Sequence, residues 1–336
     1  MGLLSFTDSG IYCAAGDFYI DPWKPVHRAI ITHAHSDHAR PGHDLYLCHR
    51  FTENLLKLRL GEQKIQTADW NEPVYLNGVR VSLHPAGHII GSAQIRVEFK
   101  GEVWVVSGDY KIENDGISEK FEPVPCHVFI TESTFGLPVY RWKPQEEIYT
   151  DIQHWIGQNK ALGKNSVLLA YSLGKAQRLL GCLQDVTSEI YVHGAIWNAQ
   201  QALKEAGVVL PEVKLAGASA PRTKSEGVVV IGPPGSDGSP WINRFSPYAV
   251  GVCSGWMQVR GNLRRRNVDA GFALSDHADW TGLLQAIEGT GAKKVFVTHG
   301  FQSVLSRYLN EQGLEAGEVM TAFGEEEPDQ EAGQET

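Results

Sequence analysis

Three histidines and an aspartate fall within six residues in the segment Thr32-His33-Ala34-His35-Ser36-Asp37-His38. Neutral imidazole and carboxylate form a donor set that suits zinc, and also manganese or iron. So dense a group predicts a metal-binding loop rather than a scatter of surface histidines. Further groups of the same kind follow apolar runs. His88 ends Pro85-Ala86-Gly87-His88, Asp109 closes Val105-Val106-Ser107-Gly108-Asp109, and His299 closes Val295-Phe296-Val297-Thr298-His299. Glu132 lies in Thr131-Glu132-Ser133-Thr134, and His277 in Ser275-Asp276-His277-Ala278-Asp279. Each is a weak signal alone. Jointly they predict one site at a row of strand ends, where a carboxylate such as Asp109 can offer its two oxygens to two neighbouring cations.

For these groups to meet, the runs that precede them must be neighbouring strands. The run 29–32 leads into the histidine loop, and strands over 74–76 and 79–83 flank Asn77-Gly78, a hairpin signal. Further strands are predicted over 94–99, 103–106 and 128–131. The texture then changes. From 145 to 162 the apolar residues Ile148, Ile152, Trp155 and Ile156 keep helical spacing. Strands over 167–170, 190–192 and 228–231 next alternate with helices over 175–184 and 195–206, the signature of parallel α/β structure. The Gly- and Pro-rich piece 232–240 reads as a loop. Beyond it come a strand over 271–274, a helix over 280–288, a strand over 294–298 and a helix over 302–311. The order predicts an α/β protein in which a middle domain, 141–268, is inserted into an outer domain made of 1–140 and 269–323.

Charge says little about the partner. The net charge of −9 is uneven: residues 324–336 hold six acidic residues and no basic one, which predicts a solvated, disordered tail. Five cysteines stand far apart without paired spacing, which argues against a disulfide framework and suits a reducing compartment. The first residues lack a charged leader, and no apolar run reaches bilayer length, so a cytoplasmic protein without a membrane partner is expected.

The succession HxHxDH, AGH and SGD resembles the metallo-β-lactamase superfamily. The further segments TEST, SDHAD and THG resemble its β-CASP nucleases, and the likeness covers nearly all the chain except the acidic tail. This resemblance implies a four-layer αβ/βα sandwich carrying an inserted α/β β-CASP domain. It also implies two divalent ions, zinc first and manganese second. His33, His35 and His88 would hold one ion, Asp37, His38 and His299 the other, and Asp109 would bridge them. Asp37, Glu132 and His277 are the catalytic residues it implies. Glu132 would pair with His277, which would face the scissile phosphate without holding metal. Asp21 matches an early aspartate that supports the metal loop, with Asp17 nearby as a second candidate.

Such a site suits phosphodiester hydrolysis, and the substrate follows from smaller signs. A histidine at the last motif, His299, is typical of RNA-directed members. Ser254-Gly255-Trp256 resembles a segment of the DNA-repair branch, and the compact length with Tyr171-Ser172-Leu173-Gly174-Lys175-Ala176-Gln177-Arg178 resembles bacterial exonucleases associated with a DNA ligase and an Lhr-type helicase. A DNA exonuclease of DNA repair is therefore expected, with an RNA-processing nuclease as the alternative and a small-molecule hydrolase third. Trp256 with Arg260, Arg264, Arg265 and Arg266 reads as a weak site for single-stranded nucleic acid. Lys175 and Arg178, at a helix start, are candidates for a terminal phosphate.

Overall fold

The computed structural model describes residues 2–184, 186, 189–216, 227–259 and 268–322. The N-terminal third consists of short strands: β1 Ser5–Thr7, β2 Gly10–Cys13, β3 Phe18–Ile20, β4 Arg28–Ile30, β5 Leu45–His49, β6 Ile65–Ala68, β7 Val74–Leu76, β8 Val79–Pro85, β9 Ala93–Phe99, β10 Glu102–Val106 and β11 Val128–Ser133. One helix, α1 Arg50–Leu60, interrupts them. Next come helix α2 Gln145–Ala161, β12 Asn165–Leu169, α3 Lys175–Leu183, β13 Ile190–Val192, α4 Gly194–Glu205, β14 Lys214–Leu215, β15 Val229–Gly232, α5 Pro240–Asn243, β16 Tyr248–Cys253 and β17 Ala270–Phe272. Helix α6 Trp280–Thr290, β18 Lys294–Gly300, α7 Gln302–Glu311 and β19 Glu315–Glu318 close the described chain.

Two compact units result. One runs to Arg141 and resumes at His277; the other is Trp142–Asp276. The first unit holds a six-stranded sheet ordered β1-β2-β3-β4-β5-β6 and a seven-stranded sheet ordered β19-β18-β11-β10-β9-β8-β7. The alternation of strand residues decides its core. Ile11, Phe18, Ile20, Ile30 and Leu47 from the first sheet join Val81, Leu83, Ile95, Val97 and Val106 from the second in one buried cluster between them. The opposite face of the second sheet packs Val105, Phe129, Val295 and Val297 against Leu283, Ile287, Leu305 and Leu309 of α6 and α7. Strands β10, β11, β18 and β19 run parallel, so their carboxyl ends lie side by side. That is where Asp109, Glu132 and His299 appear.

The second unit holds a parallel sheet ordered β14-β13-β15-β12-β16-β17. Its central strands are buried on both faces: Leu168 meets Ile152 and Leu180 on one side, while Val167 and Leu169 meet Ile242 and Phe245 on the other. Burial on both faces is why these strands read as unbroken apolar runs.

The return point differs from the sequence expectation. The strand expected at 271–274 to begin the outer domain is β17, and its residues Ala270, Gly271 and Phe272 pair in parallel with Gly251, Val252 and Cys253 of the second unit. The strands β1, β2, β3, β5 and β16 and the helix α1 had no clear sequence signal. The first three hold only three or four residues each, too few to show a period. The acidic stretch 324–336 lies outside the described residues.

Candidate metal centre

The histidine loop leaves the end of β4 and is tied at both ends to one carboxylate. Asp21 accepts from the Thr32 N–H at 2.8 Å and the Thr32 hydroxyl at 2.6 Å, and it meets His38 Nδ1 at 2.8 Å. Asp21 is 1% exposed, in a backbone conformation of φ +42° that non-glycine residues rarely take. Asp17 instead accepts from the Tyr12 hydroxyl. From α1, the Arg59 guanidinium donates to the Ala34 carbonyl and braces the middle of the loop.

The other groups are presented by tight turns. Gly87, at φ +76°, precedes His88, and a Cβ there would stand 2.2 Å from the Lys111 carbonyl oxygen. Gly108, at φ +57°, precedes Asp109, and its Cβ would stand 2.7 Å from that of Thr32. Both positions need a residue without a side chain, for space and for φ.

These elements bring the candidate ligands together around Asp109. The ligand atoms of His33, His35, His88 and Asp109 all lie within 4.8 Å of one another, and so do those of His38, Asp109 and His299. Asp109 Oδ2 is 3.4 Å from His33 Nε2, 3.5 Å from His38 Nε2 and 3.8 Å from His88 Nε2, while Oδ1 is 3.0 Å from His299 Nε2. His35 faces the group through its other nitrogen, with Nδ1 3.0 Å from His88 Nε2. Asp37 is half-buried, its Oδ2 3.6 Å from His38 Nε2. Asp109 thus stands between both groups, with Oδ2 facing His33, His38 and His88 and Oδ1 facing His299.

The electrostatics fit cation binding. Burial holds the His33 imidazole well below its ordinary pKa, so it is a neutral donor. Its buried Nε2 makes no well-aligned hydrogen bond among the described residues, its polar neighbour being Asp109 Oδ2 at 3.4 Å. Burial also opposes charge on His38, but Asp109, Asp37 and Asp21 outweigh it and raise that group to about 10. Burial opposes charge on Asp109 too; His38, His299 and His33 overcome it and hold the carboxyl well below the usual range. A buried set of imidazole nitrogens around a shared carboxylate suits a divalent ion at bond lengths of about 2.0–2.2 Å.

Beside this group stands a second pair. Glu132, at the end of β11, accepts from the Tyr110 N–H at 2.7 Å and meets His277 Nδ1 at 2.9 Å. The His277 ring lies 4.5 Å from that of His88, centroid to centroid, and the ligand atoms of Asp109, Glu132 and His277 also lie within 4.8 Å of one another. The Tyr110 amide carried no sequence signal, because a backbone donor has no residue type.

The expected nucleic-acid contacts fare differently. Lys175 and Arg178, expected at a terminal phosphate, are 2% and 1% exposed and turned to partners within their own unit. Lys175 Nζ is 2.7 Å from Asp276 Oδ1 and lies over the Tyr171 ring, and Arg178 donates to the Ser275 carbonyl. The start of α3 is closed as well: Gln177 Oε1 accepts from the Gly174 N–H at 2.8 Å. Trp256 is half-buried in a short turn, packed on the core of the second unit. Arg260, Arg264, Arg265 and Arg266 lie outside the described residues.

No model of a known protein family matches the chain. It is 32% identical over 311 residues to a protein of Opitutus terrae named "Probable DNA ligase", a match that covers 91% of this chain and 30% of that one. It is 30% identical over 128 residues to "Endoribonuclease YSH1" of Saccharomyces cerevisiae, covering 38% of this chain and 16% of that one. The "Cleavage and polyadenylation specificity factor subunit 3-I" of Arabidopsis thaliana is 31% identical over 128 residues, 36% of this chain and 18% of that one. The chain therefore spans under a third of the length of each of these relatives. A crystal structure of a protein of unknown function from Enterococcus faecalis shares the fold, with a TM-score of 0.60 at 10% identity, over 88% of this chain and 79% of that one.

Proposed function

Because the chain belongs to the β-CASP family of metallo-β-lactamase proteins, we propose that it is a two-metal phosphodiesterase acting on nucleic acid, a DNA exonuclease of DNA repair. The observation that carries this reading is one geometry. Asp109 faces two sets of nitrogens, and a buried Glu132–His277 pair stands beside them. The four-layer sandwich with a β-CASP insertion is the architecture that accompanies the reading, and the second unit is its inserted domain.

His33, His35 and His88 would hold one divalent ion, His38, His299 and Asp37 the other, and Asp109 would bridge them; zinc or manganese suits these donors. Bound there, such ions supply Lewis acidity toward a phosphodiester and an ionised water at neutral pH. The remaining work belongs to the side chains. Glu132 accepts the Nδ1 hydrogen of His277 and orients the ring, so that Nε2 would carry the proton that the leaving oxygen needs. Tyr110, through its N–H on Glu132, keeps that carboxylate turned toward the ring.

DNA is favoured by the breadth of the alignment. The relative named a ligase aligns over 91% of this chain, whereas the endoribonuclease and the cleavage-factor subunit align over little more than a third. In the former, a region like this chain lies within a polypeptide about three times longer that carries the name of a DNA ligase. A DNA ligase and a helicase are the partners this suggests. RNA is the second reading, supported by His299 and by the names of the shorter matches.

The test uses protein stripped with a chelator and reloaded with zinc or manganese, on DNA and RNA oligomers of matched sequence labelled at either end. Metal-dependent release of nucleotides from DNA is expected. Cleavage of RNA with DNA inert establishes the second reading, and inertness toward both overturns the proposal.

A further inference from the structure

Two of the candidate ligands, His33 and His299, are each preceded by a threonine whose hydroxyl touches the ring. Thr32 Oγ1 lies 3.0 Å from His33 Nδ1, and Thr298 Oγ1 lies 3.2 Å from His299 Nδ1. Each hydroxyl has a second contact. Thr32 Oγ1 donates to Asp21 Oδ2 at 2.6 Å, and Thr298 Oγ1 donates to the Thr131 carbonyl at 3.0 Å. A hydroxyl carries one hydrogen, and a carboxylate or a backbone carbonyl can only accept. The hydrogen is therefore committed away from the ring in both cases, and toward the ring each hydroxyl can act only as an acceptor.

We infer that Thr32 and Thr298 are positioning residues that hold His33 and His299 in the Nδ1–H form, so that each Nε2 lone pair is presented to an ion. The inference rests on the metal-centre reading proposed above. The two threonines address different ions, Thr32 the one beside His35 and His88, Thr298 the one beside His38. They are built independently: one hydroxyl is anchored by a side chain between β3 and β4, the other by the backbone of β11. Asp21 acts on both ions, on His38 directly and on His33 through Thr32. Both threonines are buried, so water does not substitute for the hydroxyl without a rearrangement. A ligand histidine whose other nitrogen loses its partner typically costs 10–100-fold in metal affinity.

The test combines two measurements. Nitrogen-15 NMR of the histidine rings in metal-free protein should show His33 and His299 protonated at Nδ1. Protonation at Nε2 in either ring overturns the inference for that threonine. Zinc titration of Thr32→Val and Thr298→Val, each nearly isosteric with the native residue, should show one ion per chain bound about 10–100-fold more weakly and the other unchanged. Thr32→Ser and Thr298→Ser should restore it, which a purely structural role for the methyl group would not allow. Native affinity for both ions in the valine variants also overturns the inference. If the wild-type chain binds no divalent ion, the metal-centre reading fails, while the NMR result still decides which nitrogen each threonine faces. That result stands even if a valine variant does not fold, since it is read on the wild-type chain.

Discussion

Glu132 and His277 are 145 residues apart in the chain, yet His277 Nδ1 lies 2.9 Å from one oxygen of Glu132 and 3.1 Å from the other, with both side chains buried. A histidine held this way has its Nε2 directed elsewhere. The family resemblance implies proton donation or charge stabilisation at Nε2 for His277 rather than metal binding, a choice that the Nδ1 contact leaves to experiment. His277→Ala is expected to keep both ions, by elemental analysis, and to lose about 10²–10⁴-fold in rate. The loss should shrink on a nitrophenyl phosphodiester, whose leaving group needs no proton. Loss of an ion in this variant would move His277 into the ligand shell.

Asp109 faces both sets of nitrogens, so it has no local substitute. Asp109→Asn removes the one carboxylate shared by the two ion positions, and at least one ion should then bind poorly, with nuclease activity collapsing. Two ions per chain and normal cleavage in that variant would remove Asp109 from the centre.

Lys175 and Asp276 form an ion pair with side chains 2% and 0% exposed. Lys175→Met leaves a buried carboxylate without this cation and should lower stability by about 3–5 kcal/mol, read from urea unfolding. Replacing both, as Lys175→Met with Asp276→Leu, should recover most of the loss. Unchanged stability with weaker nucleic-acid binding would instead return Lys175 to a substrate-facing role.

Acid should destabilise the fold before the carboxylates titrate. Burial pushes His43, His49 and His84 down to about 4, with Arg50 adding to the effect at His49, and Arg96 and Arg80 at His84. An unfolded histidine binds its proton near ~6.5. Between these values the unfolded state holds more protons, so stability is complete above ~6.5 and falls as pH drops toward about 4. His49 stacks on Trp70, and its Nδ1 accepts from the Phe51 N–H at the start of α1, a role that needs that nitrogen unprotonated. His49→Asn keeps an acceptor at the helix start without titrating, so its urea midpoint should fall less steeply from pH 7 to 4.5. An identical slope would show that His49 contributes nothing to the acid sensitivity.

The amino-acid sequence by itself determined the residue types of the candidate metal centre and most of the strands that carry them. The dense group at 33–38 is local, and the runs ending near Pro85, Val106, Ser133 and Gly300 are apolar enough to be read one at a time. The helices α2, α3, α4, α6 and α7 were legible for the same reason, since a buried face repeats within a single turn. Only the tertiary structure decided which way a charged group faces. Lys175 and Arg178 have the composition of a phosphate site, but a buried Asp276 and a backbone carbonyl take them inward. It also decided where the middle sheet ends, because β17 joins it by pairing with β16, and pairing leaves no mark on a three-residue strand. Tyr110, Thr32 and Thr298 entered the site in the same way. A hydrogen bond depends on where a partner distant in sequence arrives, and that is set by how the sheets pack, not by the residues on either side.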